Sequence, residues 1–182
     1  MKKLKKISLI LFVVLALHSC TEVVSEIPKE NPQDSNVAET NQSSVWSVIK
    51  GSENHNYLEA AVVATELQVA LSDTTSVFTV LAPTDAAFTD LADELGVGVS
   101  ELLELPNLTE FLLYHVLPEV ILEDSLLQSQ VNSMYNTLLI NEPIYFQSSA
   151  TTVTVNGIAS VTLADLVADN GVVHVIDKVV LR

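Results

Sequence analysis

Four histidines and one cysteine are the side chains of this 182-residue chain best suited to proton-transfer, metal-binding or nucleophilic chemistry. A hydrolase needs a nucleophile, a base and an orienting acid converging on one pocket, and the settings of the histidines argue against that use. His18 lies in an apolar amino-terminal segment, and His55 stands in the polar stretch SENHN. His115 shares a helical face with Leu108, Phe111 and Leu112, while His174 alternates with Val172 and Ile176 in a β-rich run. Both positions predict buried rings that hydrogen-bond to backbone and hold neighbouring elements together. The sequence lacks HExxH, CxxC, GxSxG, P-loop and GxGxxG patterns, so metal-dependent hydrolysis, redox chemistry and nucleotide binding have no signature in it. Asp93-Glu94 and Glu123-Asp124 are ordinary acidic pairs. Asp165, Asp169 and Asp177 recur near the carboxy terminus without the glycine-punctuated spacing of an EF-hand loop, so neither a metal nor another cofactor is expected.

Cys20 points to a different chemistry. Residues 1–6, MKKLKK, carry four lysines, and 7–17, ISLILFVVLAL, form an apolar run broken by Ser8 alone. These are the n-region and h-region of a signal peptide, and the run falls short of the roughly 20 residues that span a bilayer. It ends in LHSC, which resembles the lipobox of bacterial lipoproteins. That resemblance implies cleavage before Cys20, acylation of its thiol and a lipid anchor, with residues 1–19 removed. Thr21 is not the aspartate that retains such proteins in the inner membrane of enteric bacteria, so the expected location is the cell envelope, as an outer-membrane lipoprotein facing the periplasm or the surface.

Removal of 1–19 leaves four basic residues against 23 acidic ones, a net charge of −19. Nucleic acid is excluded as a partner on that balance, and an anionic bilayer repels the chain, so membrane attachment must come from the lipid. Residues 20–44 are rich in Glu, Asn, Ser and Pro and bury too little apolar surface to order themselves. They read as a flexible tether to a folded domain over 45–182.

Within that domain the apolar periodicity predicts one amphipathic helix over 56–71, capped by Asn54 or Asn56. Val77–Ala82 reads as a strand ended by Pro83; Thr84 then caps a helix that Gly96 closes. A short turn at 100–105 precedes a second capped helix, with Asn107 at its start, Glu110 three residues on and Pro118 as its stop. Strands follow at 137–146, 152–155 and 158–163, the last two joined by an Asn156-Gly157 type I′ turn, and a terminal strand opens at Asn170-Gly171. Helices first and strands last make an α+β domain.

Three segments resemble the fasciclin, or FAS1, family: FTVLAPTDAAF at 78–88, LLYHVLP at 112–118 and NGVVHVIDKVVL at 170–181. The resemblance implies a wedge of two β-sheets with helices packed along one side, no catalytic activity, and adhesion to protein or polysaccharide of the cell envelope or extracellular matrix. The alternative class is a small-ligand carrier or an enzyme with an unrecognised site, which requires a sizeable pocket. In animal relatives an Asp-Ile pair and the Tyr-His region are implicated in partner binding. By position these match Asp165-Leu166 and Tyr114-His115 here. Glu119 replaces the glycine common after the central motif, and MYNTLLINE replaces the usual Asn-Gly hairpin.

Overall fold

The computed structural model describes residues 43–128 and 132–182. The expected leader at 1–19, the anchor Cys20 and the tether up to residue 42 lie outside them. Ser43 and Ser44 already belong to the fold: Ser43 O accepts the Asp169 N–H at 2.6 Å, and Ser44 Oγ caps helix α1 (Val45–Lys50) by accepting Ser47 N–H at 3.2 Å.

The expected helix over 56–71 is two helices, α2 (Asn56–Ala64) and α3 (Gln68–Ser72). Thr65 turns its hydroxyl back onto Ala61 O at 2.9 Å, and Glu66 adopts a left-handed conformation with φ 58°. Leu67 N–H then reaches Val62 O, and Glu66 N–H reaches Val63 O, both at 3.1 Å, the paired bonds of a Schellman stop. A glutamate gives no hint of this stop, and the apolar spacing runs on across it because Leu58, Val62 and Leu71 all still face the core. Neither Asn54 nor Asn56 caps α2. His55 holds the cap position without a side-chain cap bond, and Asp85 Oδ1 accepts Tyr57 N–H at 2.8 Å instead.

Asp85 opens α4 (Asp85–Leu95), where Thr84 Oγ1 accepts Ala87 N–H and Gly96 closes the helix at φ 70°, as the sequence led us to expect. α5 (Val99–Leu103) and α6 (Leu108–Tyr114) follow. The side chain of Asn107 makes no cap bond, and α6 stops four residues before Pro118. Sheet pairing ends it: Leu81 N–H takes the His115 carbonyl at 2.9 Å, and the chain passes directly into a strand. Helix α7 (Glu123–Gln128) comes next.

Seven strands make one hydrogen-bonded succession, β2-β1-β7-β6-β5-β4-β3. In chain order they are β1 (Phe78–Pro83), β2 (Val116–Leu117), β3 (Ser133–Asn136), β4 (Pro143–Ser148), β5 (Val153–Val155), β6 (Ala159–Ala168) and β7 (Gly171–Ile176). The two sheets meet in β6, whose first residues pair with β5 and whose remainder pairs with β7. Leu138 N–H, two residues beyond β3, donates to Val116 O of β2 at 2.8 Å, so the sheet's two edges approach and nearly close it. The strand expected over 137–146 begins only at Pro143. Thr137 Oγ1 bonds Leu139 O and Glu142 O, and Asn141 sits at φ 64°, which turns 137–142 back on itself. Asn156 and Gly157 have φ 51° and 69° with Ile158 N–H on Val155 O at 3.0 Å, the expected I′ turn.

β1 and β7 run parallel and are buried along their whole length, which explains their nearly continuous apolar composition. Phe78, Val80 and Ala82 face a core shared with α1, α2, α4 and α6; Leu81 on the other face joins Leu117, Ile144, Phe146 and Ile176 in a second core enclosed by the strands.

Candidate functional site

Tyr114 and His115 sit where α6 gives way to β2, and neither is presented to solvent. His115 is 2 % exposed. Its Nε2 accepts Val180 N–H at 3.2 Å, so the ring proton lies on Nδ1, which donates to Phe111 O one turn back at 2.8 Å. Desolvation pushes its pKa down from the ordinary histidine value to about 4, against a smaller upward push from the Phe111 carbonyl. The ring stays neutral at physiological pH with both nitrogens committed, and it ties the end of α6 to the carboxy-terminal segment. Tyr114 OH donates to Pro143 O at 3.3 Å and accepts from Asn156 Nδ2 at 2.8 Å, fastening α6 to β4 and to the I′ turn.

Asp165 and Leu166 stand on a different part of the sheet. Between Val161 and Leu166 the β6–β7 register slips twice, and Asp165 takes a left-handed φ of 55°. His174 lies opposite this irregular stretch and fills the gap in the ladder. Its Nδ1 accepts Asp165 N–H at 3.2 Å, which leaves the proton on Nε2 to donate to Ile121 O at 2.8 Å. Asp165 Oδ1 accepts Glu123 N–H at 3.0 Å at the start of α7, and its 3.9 Å distance from His174 Nδ1 is the approach of two acceptors rather than an ion pair. Thr79, wholly buried on β1, completes the set by donating to Glu119 O at 2.7 Å and accepting Ile121 N–H at 2.9 Å. The loop 118–122 is therefore pinned from beneath by Thr79 and His174, and its exit into α7 by Asp165.

Above that support the surface is open. Val120, Leu122, Leu163 and Val167 are exposed, and the Asp165 side chain is about one-third exposed at 35 %. Leu166 is half-buried and packs inward on the helical core. The hydrogen bonds of the Tyr-His pair lead to Phe111, Pro143, Asn156 and Val180, and those of Asp165 lead to His174 and Glu123, so the two pairs do not converge on one site. Asp169 and Asp177 also part from Asp165. Asp169 N–H bonds Ser43 O, and Asp177 Oδ1 accepts Ser160 N–H at 2.6 Å. Among the described residues no group of three or more His, Cys, Asp or Glu is placed to hold a metal ion. Thr79 escaped the sequence reading because a threonine inside a β-rich run looks like strand propensity; the one signal was its inward phase with Leu81.

The model of the fasciclin domain matches residues 53–182. The chain belongs to the fasciclin family. Protein sll1483 of Synechocystis is 38 % identical over 151 residues, covering 81 % of this chain and 78 % of that protein. A second protein from Synechocystis, sll1735, is 34 % identical over 130 residues, 71 % of this chain and 90 % of its own. Human periostin is 30 % identical over 141 residues, which are 76 % of this chain and 16 % of periostin. Among solved structures the chain resembles a FAS1 domain pair from the insect cell adhesion molecule fasciclin I, with a TM-score of 0.66 and 16 % identity. The match covers 77 % of this chain and about half, 51 %, of that one. The fasciclin fold thus accounts for both the α+β order and the near-closed sheet.

Proposed function

We propose that this fasciclin chain is a non-catalytic adhesion or binding module, held in the cell envelope by a lipid on Cys20 and engaging a protein or polysaccharide of the envelope or extracellular matrix. The observation that carries the reading is the state of the two histidines in the fasciclin-like segments, His115 and His174, rather than of His55, whose buried Nε2 makes no bond. His115 and His174 have both ring nitrogens bonded within the protein, His115 to backbone on each side, so neither is free to move a proton to a substrate. What the fold offers outward is a firmly supported surface around Asp165, with apolar Val120, Leu122, Leu163 and Val167 about it. Adhesion by many tethered copies needs such a surface and only modest affinity in each copy. The net charge of −19 after leader removal keeps nucleic acid and anionic lipid away from it.

A carrier or enzyme would need a pocket of about 300–1,000 Å³ lined mostly by apolar groups. The apolar cleft between α4, α5 and α6 holds about 100 Å³, and the adjoining space of about 390 Å³ is lined by the charged Asp90, Asp93, Glu94 and Lys178. The test compares attachment to protein and polysaccharide surfaces by cells with and without the chain, beside a broad hydrolase assay of the purified protein. Reduced attachment without the chain, and no turnover, is expected. Turnover of any substrate with attachment unchanged overturns the reading.

A further inference from the structure

On the helical side, away from Asp165, the fold leaves a groove with two unlike halves. Leu91, Leu95, Leu102, Leu105, Phe111 and Leu181 line a cleft of about 100 Å³, large enough for one aliphatic or aromatic side chain. Leu95, Leu105 and Leu181 are 55 %, 45 % and 46 % exposed, so three leucines meet water at its mouth. Leu91 and Leu181 are also walls of an adjoining trough of about 390 Å³. Its charged groups are Asp90, Asp93 and Glu94 against the single cation Lys178. The other nearby cation, Arg182, is engaged by Glu110 at 2.9 Å.

Charge selects the occupant. Residues 21–42 of the chain hold five acidic residues and one lysine, and a second copy brings the same acidic surface, so like charge works against both. An anionic bilayer is repelled for the same reason. We propose that this groove docks a segment of a partner protein that carries an apolar anchor side chain beside lysine or arginine, the anchor entering the leucine cleft and the cation the carboxylate trough. This inference rests on the binding-module reading and adds to it a recognition surface separate from the one around Asp165. The two halves do different work: burying the anchor supplies affinity, and the carboxylates supply selectivity and on-rate.

The probe is a fluorescein-labelled synthetic peptide with leucines at i and i+4 and lysines between them, titrated by anisotropy with the full chain. Two control peptides carry serine for leucine or glutamate for lysine. The leucine-lysine peptide should bind with micromolar affinity that falls as salt rises, and each control should bind at least tenfold more weakly. Leu95→Ser with Leu105→Ser should weaken binding about tenfold, and Asp93→Lys with Glu94→Lys should do the same while removing the salt dependence. All four side chains are exposed, so the folded state survives, and unchanged melting curves verify it. No binding, equal binding of the glutamate peptide, or variants that bind like the parent each overturn the proposal. If cell attachment persists in the same variants while peptide binding fails in the parent, the groove is refuted and the binding-module reading stands. Attachment that is unchanged in cells lacking the chain refutes that reading instead.

Discussion

Replacing Asn170 by alanine should cost this fold about 3–5 kcal/mol, because one buried amide closes three gaps, two of which nothing else can reach. Asn170 is fully buried. Its Oδ1 accepts Val45 N–H at 2.7 Å, one of the donors that the first turn of α1 leaves without an intrahelical partner. Its Nδ2 donates to Leu71 O at 2.9 Å and to Asp73 O at 3.0 Å where α3 ends. Truncation strands the Val45 N–H and the Leu71 carbonyl in a dry interior at about 1–3 kcal/mol each, while water can reach the carbonyl of exposed Asp73. For a folded part of this size that loss lowers the melting temperature by roughly 10–15 °C. Circular dichroism melts of the full chain at neutral pH provide the measurement.

The isosteric change Asn170→Asp sharpens the test. It keeps the acceptor for Val45 N–H but turns the other oxygen toward two carbonyls, a position that only a protonated carboxyl can occupy by donating to one of them. The pKa of the introduced group is then raised in the fold above its unfolded value of about 3.9. The fold favours the protonated form, so the stability of this variant is fullest below the unfolded pKa and is lost as pH rises through the folded one. Near pH 4 the aspartate variant should approach the parent, and at pH 7 it should melt well below it. A melting temperature for Asn170→Ala within about 3 °C of the parent, or a pH-independent deficit in the aspartate variant, refutes the reasoning.

Two further outcomes follow from the geometry and a third from the expected lipid anchor. His115 is neutral in the fold with a pKa of about 4, so stability should be intact above pH 6.5 and decline by about 3 kcal/mol as pH falls toward 4; His115→Phe should lose stability at neutral pH yet show a flatter acid limb in urea titrations, and an unchanged limb refutes this. Gly171 pairs with Phe78 at φ 145°, and a Cβ there stands 1.8 Å from Phe78 O, so Gly171→Ala should cost more than about 4 kcal/mol and leave the chain insoluble on expression; a soluble variant with the parent's melting curve refutes it. Cys20→Ala should leave the membrane fraction or accumulate unprocessed, and unchanged fractionation and processing would sink the lipid anchor.

The sequence was most legible where one residue dictates its own backbone. Thr84, Gly96 and Asn156-Gly157 act through short-range geometry, and each does what its type implies. It was least legible where a distant element supplies the partner. Asp85 caps α2 from 28 residues away in place of Asn54 or Asn56, and the stop in α2 falls on a glutamate that no propensity marks. The strand over 137–146 failed for a related reason. Leu138, Leu139 and Ile140 look like strand interior, but Leu138 is drawn to the β2 edge and Thr137 folds the backbone over its own hydroxyl. The histidines fell between these cases. The burial of His115 and His174 followed from periodicity, while that of His55, in a polar stretch, did not, and the partners of the first two depended on tertiary structure.

That division bears on how the fasciclin fold presents a surface. Polar side chains inside a sheet are costly unless every donor and acceptor is matched, and here the matched set is assembled from β1, β6 and β7 beneath one loop. Thr79 and His174 each bond the backbone of residues 119–121, so the loop's conformation is fixed by side chains that never reach solvent. Asp165 differs from them in using one face inward, on Glu123 N–H and through its own N–H on His174, while about a third of its side chain stays open. The exposed neighbours Val120 and Leu122 are thereby free to vary in type without disturbing what holds them, since the support touches their backbone rather than their side chains. A scaffold of this kind can keep its geometry while its outward residues change, because the bonds that hold the loop run to its backbone.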